Sequence, residues 1–395
     1  MTPILRFAEF TDDWEETTLE NLAEVERGKF SVRPRNDPRY FGGEMPFVQT
    51  GDVTGSDVYL KGYSQTLNAD GIKVSKVFPV DTILITIAAN IGDTTITQYA
   101  VACPDSVVAI QAKKDLANTI FLKNLIDLQK ENLDSQATQN AQKNINLQVL
   151  KPLQLIAPSK EEQTKIATFL SAVDEKISQL SQKLHLLGQY KQGMMQKLFS
   201  QQIRFNADDG SEFGEWESKT LGEIIKFVNG KGHENDVDSD GSYTLINSKF
   251  LSTNGNVAKK VNKCNQKVMN DSLVMVMSDV PNGKALAKVM YIQDGSNFAL
   301  NQRIGMFIFY KDHYPKFFQY QLNRHQYYLA FDSGVGQTNL KKEDVLNCPI
   351  LVPCIEEQTK IAKFLSAIDQ KIDVVSEQLE QAKLWKKGLL QQMFV

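Results

Sequence analysis

The segment EEQTKIATFLSAVDEKISQL begins at Glu161, and EEQTKIAKFLSAIDQKIDVV begins at Glu356, 195 residues later. Aligned without a gap, 161–199 and 356–394 are identical at 20 of 39 positions. The 395 residues therefore read as two halves, each closed by the same segment. That length suits two or three domains, so the duplication is the strongest constraint on the fold.

Within the first copy the apolar positions are Ile166, Leu170, Val173, Ile177, Leu180, Leu184 and Leu187. The second copy repeats them as Ile361, Leu365, Ile368, Ile372, Val375, Leu379 and Ala382. Steps of four and three make a heptad stripe that needs a partner helix. Pro158-Ser159 and Pro353, each followed by Glu-Glu, are helix starts, and the acids suit the positive end of the helix dipole. Forty residues make a rod of about 60 Å. Helix one leads by a short linker into a second globular segment, which feeds directly into helix two. The two helices are thus expected to pair antiparallel, with a globular domain at each end. The alternative is two amphipathic helices that each pack on their own domain.

The globular parts repeat more faintly. WEETTLENLAEVERGK opens at Trp14 and WESKTLGEIIKFVNGK at Trp216, preceded by LRF at Leu5 and IRF at Ile203. DTILITIAANIGD at Asp81 matches DSLVMVMSDVPNGK at Asp271, and both read as a strand and then a turn near Gly92 or Gly283. The fold class is therefore α/β (α+β): two mixed domains on one plan, with two long helices and an internal pseudo-two-fold. The boundaries read 1–158, helix 159–200, 201–353 and helix 354–395. Residues 1–15 resemble the segment that succeeds helix one, so they should pack near the end of helix two.

Composition restricts function. The chain has 42% apolar and 23% charged residues, ordinary for a globular protein. No apolar run is long enough for a membrane span, and the first residues do not form a signal peptide. A cytoplasmic location is the simple expectation. Cys103, Cys264, Cys348 and Cys354 form no C-x-x-C pair and lie far in sequence from the histidines, so no metal site is expected and the cysteines read as small buried apolar groups. The net charge of −3 does not advertise nucleic-acid binding; a DNA-binding role would leave most phosphate contacts to a partner. The G-K pairs at Gly28, Gly230 and Gly283 carry Ala23, Ile225 and Ser278 where a P-loop requires glycine. NDPRYFGG at Asn36 departs from the N/D-P-P-Y loop of amino-methyltransferases at Arg39, and reads as a turn at Asp37-Pro38.

What remains is chemistry for reading rather than reacting. In the first half the candidates are Arg33, Arg35, Gln49, Thr50, Asp52, Asn140, Gln142, Lys143 and Asn144. In the second they are Lys231, Asn247, Ser248, Lys249, Asn301, Gln302, Arg303, Gln337, Thr338, Asn339, Lys341 and Lys342. Asn and Gln pair with adenine and Arg and Lys with guanine, while hydroxyls hold phosphates.

On EEQTKIA-FLSA-D-KI at Glu161 and Glu356, LRF…EF…W…L from Leu5, its partner from Ile203, and PFVQTGDV at Pro46, the chain resembles the specificity subunit of type I restriction–modification systems over its whole length. The resemblance implies a non-catalytic DNA-binding chain in a DNA methylation complex. Each globular target-recognition domain would read half of a split asymmetric site, with the coiled coil setting the spacer. It implies two modification subunits as partners, with restriction subunits in the full assembly. It also implies no cofactor in this chain; S-adenosylmethionine, ATP and magnesium would belong to the partners. Left open are a coiled-coil scaffold with two ligand-binding heads and a silent or recombining specificity copy; the missing cofactor and N-P-P-Y motifs weigh against a single-chain methyltransferase.

Overall fold

The protein is described by a computed structural model covering residues 2–394 apart from 31, 33, 89, 138–143 and 282. The chain divides into one unit of 1–183 with 375–395 and a second of 184–374. Each unit thus holds a globular part, the start of one long helix (Lys160–Phe199 or Ile355–Met393) and the end of the other. Among the described residues no helix is long and apolar enough to cross a membrane.

In the first unit Glu15–Thr18 pairs antiparallel with Gln154–Ala157 at the foot of the helix. Next comes a four-stranded antiparallel sheet in the order Ala23–Arg27, Val107–Ala112, Ile83–Thr86, Thr94–Ile96. Its central strands are apolar almost without interruption because both faces are covered. Ile83, Ile85, Val108 and Ile110 join a core with Phe121 and Leu125 of the helix Thr119–Leu128, while Leu84, Val107 and Ala109 face a second core with Val48 and Phe78. Alternation along a strand sends successive side chains to opposite faces. A smaller sheet orders Gln65–Leu67, Phe41–Phe47, Val101–Ala102, Val77–Phe78, and its middle pair is parallel.

The second unit repeats the plan. Glu217–Thr220 pairs with Pro349–Val352. The larger sheet runs Ile225–Asn229, Ile304–Phe309, Ser272–Val276, Val289–Ile292, and the smaller runs Lys259–Val261, Tyr243–Ile246, Phe298–Leu300, again with one parallel pair. Leu273, Met275 and Phe307 face the core beneath the helix Pro315–Leu322, and Val274, Val276 and Met306 face the other. The strands expected after Asp81 and Asp271 are both present, and each succeeds an aspartate with left-handed φ, 65° and 51°.

The repeated E-E-Q has a buried logic. Glu161 is exposed, but Glu162 and Gln163 are each 1% exposed, and their counterparts Glu357 and Gln358 are fully buried. Arg6 grips Glu162 with two bonds of 2.7 Å, and the Trp14 indole N–H donates at 3.4 Å. Arg204 grips Glu357 at 3.0 and 2.7 Å, and Trp216 donates at 2.9 Å. Gln163 accepts from the Asn118 N–H at 3.0 Å and donates to the carbonyls of Leu116 and Pro158. Gln358 does the same with Tyr314, Asp312 and Pro353. The second acid thus binds the segment before the first strand, and the glutamine binds the loop before the covering helix.

Each unit also receives the end of the other long helix, antiparallel to its own. In the first unit Phe394 stacks on Phe121 at 5.1 Å and meets Trp14, beside Glu162. Twelve residues further along, Asp174 pairs with Lys386 at 2.6 Å, eight residues back from Phe394. In the second unit Phe199 packs on Trp216 and Phe317, while Lys191 pairs with Asp369 and lies over the Tyr320 ring. The two ion pairs are the same pair written twice, since Asp369 and Lys386 are the repeat counterparts of Asp174 and Lys191. The start of the stripe (Ile166, Leu170, Val173) packs at once on its own domain and on Leu389, Met393 and Phe394; Ile361, Leu365 and Ile368 share a core with Leu198. The two alternatives for the stripe therefore hold together. Leu180, Val375 and Leu379 are buried, and Ile177, Leu184, Leu187, Ile372 and Ala382 are half-buried. The N-terminal segment does pack near the end of helix two: the Leu5 N–H donates to the Gln392 carbonyl at 2.8 Å.

One expectation is corrected. Cys103 and Cys348 are buried apolar groups, but Cys264 is half-buried and Cys354 is exposed; Cys354 stands in the connection between the strand Pro349–Val352 and the helix that starts at Ile355. The turn at Asp37-Pro38 is a short 3-10 turn capped by Asp37, whose carboxylate accepts from the Arg39 N–H at 3.1 Å.

Removing Glu357 leaves the buried Trp216 N–H without its acceptor and Arg204, 26% exposed, without its ion partner, so Glu357→Ala should destabilise the second unit by about 1–3 kcal/mol. Glu356→Ala, one residue away and exposed, should change it by less than about 0.5 kcal/mol. Amide hydrogen exchange in Ser272–Val276 under mild denaturant separates the two; equal effects would contradict a structural role for the Arg204–Glu357–Trp216 contact.

Candidate nucleic-acid interface

In both units the described candidate residues collect where strands of the two sheets end together. In the second unit the parallel strands Tyr243–Ile246 and Phe298–Leu300 place Asn247 and Asn301 side by side, and the Asn301 N–H donates to the Ile246 carbonyl at 3.1 Å. Lys231 bridges to Asn301. Gln302 and Arg303 come next, exposed, with Arg303 at φ 68°. The Arg303 carbonyl accepts from the Met277 N–H at 2.8 Å, and the Met277 carbonyl accepts from the Leu340 N–H at 2.8 Å. That second bond brings in the amide-rich loop, where Ser278–Asp279 and Thr338–Asn339 form a short antiparallel ribbon. Lys231, Asn247, Ser248, Lys249, Asn301, Gln302, Arg303, Gln337, Thr338 and Asn339 are thus one contiguous tip, with exposed Lys341 and Lys342 just beyond.

The first unit builds the same tip with other residues. Phe47 pairs with Ala102, so Gln49 and Thr50 lie at the ends of the parallel strands near Asp105. Arg35 is half-exposed and paired with Asp105 at 2.8 Å. The Ser106 carbonyl accepts from the Ile87 N–H at 3.2 Å, the Ile87 carbonyl accepts from the Ile145 N–H at 3.0 Å, and Asn144 bridges to Ala88. Asn144 therefore occupies the place of Asn339. Arg33, Asn140, Gln142 and Lys143 lie outside the described residues.

Several candidate side chains already have structural work. Asn247 caps the helix Ser248–Ser252 by accepting from the Phe250 N–H at 2.9 Å. Asp52 accepts from the Gln49 N–H at 2.8 Å and from Ser64 at 3.0 Å, and Gln49 donates to Gln65 at 2.9 Å. Gln302 is bonded to Glu234, and Gln337 donates to Ser278 at 2.7 Å. Thr338 is buried. The residues left outermost are Lys231, Lys249, Arg303, Asn339, Lys341 and Lys342.

Sequence reasoning missed the supports beneath the tip. Asp279 accepts from the N–H groups of Val280, Ala285 and Leu286 at 2.9, 2.6 and 3.0 Å, closing the loop around Gly283, which Arg324 also contacts. His233 is buried, bonded to the Lys231 carbonyl at 2.8 Å, and accepts from the Asn265 N–H at 2.9 Å, so it holds the Lys231 segment in place. The glycines of the first two G-K pairs are explained by crowding. A Cβ at Gly230 would stand 1.8 Å from the Asn301 carbonyl oxygen, and one at Gly28 would stand 2.2 Å from that of Pro104.

The chemistry on offer is recognition. Among the described residues no His, Cys, Asp or Glu group is placed to hold a metal ion. Burial pushes the Cys103 thiol, beneath the first tip, up to about 12, which leaves it protonated and inert.

Duplicated frames that hold two different polar tips define a tandem recognition protein. The model of the type I restriction modification DNA specificity domain matches residues 11–187 and again 214–384, and the chain belongs to this family. Among curated relatives, the type I restriction enzyme MjaVIII specificity subunit of Methanocaldococcus jannaschii is 25% identical over 89% of this chain and 88% of its own. The putative MjaX specificity subunit of the same organism is 24% identical over 97% and 93%. The crystal structure of the S subunit of a type I restriction–modification system from M. genitalium matches with a TM-score of 0.67 at 19% identity, over 100% of this chain and 99% of that one. A chain from a structural study of complex assembly and conformational transition of the type I system matches at 0.58 and 13%, over 98% of each. The structural matches support the fold.

Removing one phosphate-binding cation lowers the slope of log affinity against log salt by about one unit. Lys341→Ala with Lys342→Ala should weaken DNA binding by the assembled complex at roughly 0.1 M salt and flatten that slope by about one to two. Titration of labelled duplex across salt concentrations reads both, and an unchanged slope would remove these lysines from the interface.

Proposed function

We propose that this chain is the sequence-reading part of a type I restriction–modification enzyme, with each unit reading one half of a split, asymmetric DNA site. The observation that carries this is the contrast between frame and tip. The Arg, Trp, Glu and Gln of the frame are the same in both units, whereas Gln49-Thr50 and Asp105-Ser106 at one tip stand where Asn247-Ser248 and Gln302-Arg303 stand at the other. A constant frame with varied tips suits two readers of different words.

The long helices would set the spacer and dock two modification subunits, which supply S-adenosylmethionine and the methyl transfer. Restriction subunits, with ATP and magnesium, would join the full cytoplasmic assembly. The near-neutral net charge fits a chain whose partners supply many of the phosphate contacts. No step of the chemistry is assigned to this chain; it orients DNA for a partner that must flip its target base.

Exchanging residues 214–350 for the same region of another family member should change only the second half-site in methylation maps, with the first half-site retained. A change in both halves, or in neither, would contradict two independent readers.

A further inference from the structure

One loop of the second tip presents an apolar side chain where polar ones would be expected. Val335 is 85% exposed, at the apex of the turn 332–338. It stands between Gly334 and Gly336, both left-handed at φ 73° and 80°, a conformation that other residues rarely adopt. The Asp332 carboxylate accepts from the Gly334 N–H at 3.0 Å and from the Thr338 hydroxyl at 3.2 Å. The Ser333 hydroxyl donates to the Val335 carbonyl at 3.2 Å and accepts from its N–H at 3.4 Å. The turn is therefore built and closed, and Thr338 anchors it to Asp279 in the ribbon.

A single exposed valine is ordinary, but this one has company. Val280, 63% exposed, succeeds Asp279, whose partner across the ribbon is Thr338. The outermost ribbon thus mixes two valines with the amides of Gln337 and Asn339, with Lys341 and Lys342 next in the chain. Amides and lysines suit base edges and phosphates. In the major groove the one apolar group a base pair displays is the 5-methyl of thymine. A turn closed by its own hydrogen bonds has less freedom to lose on contact than an open one, so a small apolar patch on it can discriminate.

We propose that Val335 is a specificity-determining residue that packs against the 5-methyl group of a thymine in the second half-site. The inference rests on the second unit being a DNA reader. The test uses the chain assembled with its modification subunits, on duplexes carrying the mapped site. Each thymidine of the second half-site is replaced in turn by deoxyuridine, which removes only the methyl group. The wild-type complex should lose about fourfold in affinity at one position, the value of one buried methyl. Val335→Ala should abolish that loss at the same position and leave the others unchanged, while Val280→Ala should retain it. The proposal is overturned if no thymine is sensitive, if the half-site contains none, if Val335→Ala keeps the full sensitivity, or if Val335→Ala impairs assembly with the modification subunits without DNA, which would put the turn on a protein partner. Should the wild-type complex still methylate a bipartite site, only the Val335 assignment fails; should it methylate none, the reading of the unit as a DNA reader fails with it.

Discussion

The structure depends on a carboxylate buried at the start of each long helix. A buried carboxylate is tolerated only when it is paired and its lone pairs are filled. Glu162 and Glu357 achieve this with a bidentate guanidinium and an indole N–H, both brought from the segment that precedes the first strand. The neighbouring glutamine is equally buried and fully engaged with backbone groups. Three stretches far apart in sequence are thereby locked together: the entry segment, the loop before the covering helix, and the helix start. The direction in which each helix leaves its domain is set by that lock.

This explains why the helical segments have stayed alike while the domains have drifted. A change at Glu357 strands Arg204 and Trp216 together, so the frame changes only as a set. At the tips, side chains sit over backbone bonds that do not depend on their identity, such as Met277 with Leu340 or Ile87 with Ile145. Residues can be exchanged there at small cost to the fold, which is what a family of different readers requires.

Much of this was legible in the sequence. The repeat announced two units, the heptad stripe announced paired helices, and the apolar runs after Asp81 and Asp271 announced central strands, because each is a local pattern with its own period. Asn144 and Asn339 were legible as candidates, and their equivalent places beside Ala88 and Ser278 appear only in the fold. The lock was not legible. Glu162 reads as one more first-turn acid suited to the dipole, and nothing local shows that it meets Arg6, 156 residues away. The site was legible only as a set of residue types. Asn247, Asp52 and Gln302 look like readers in sequence, but capping, loop closure and a bond to Glu234 occupy them in the fold. Conversely, Asp279 and His233 drew no notice, since their work is done through backbone groups brought together by the sheets.

Two different readers on one repeated frame leave a distinct mark on DNA. Methylation mapping of a genome in a host expressing this chain with its modification subunits should show a single motif of two unlike half-sites separated by a spacer of fixed length and unspecified sequence. A continuous motif, or one whose halves are the same word inverted, would contradict that arrangement.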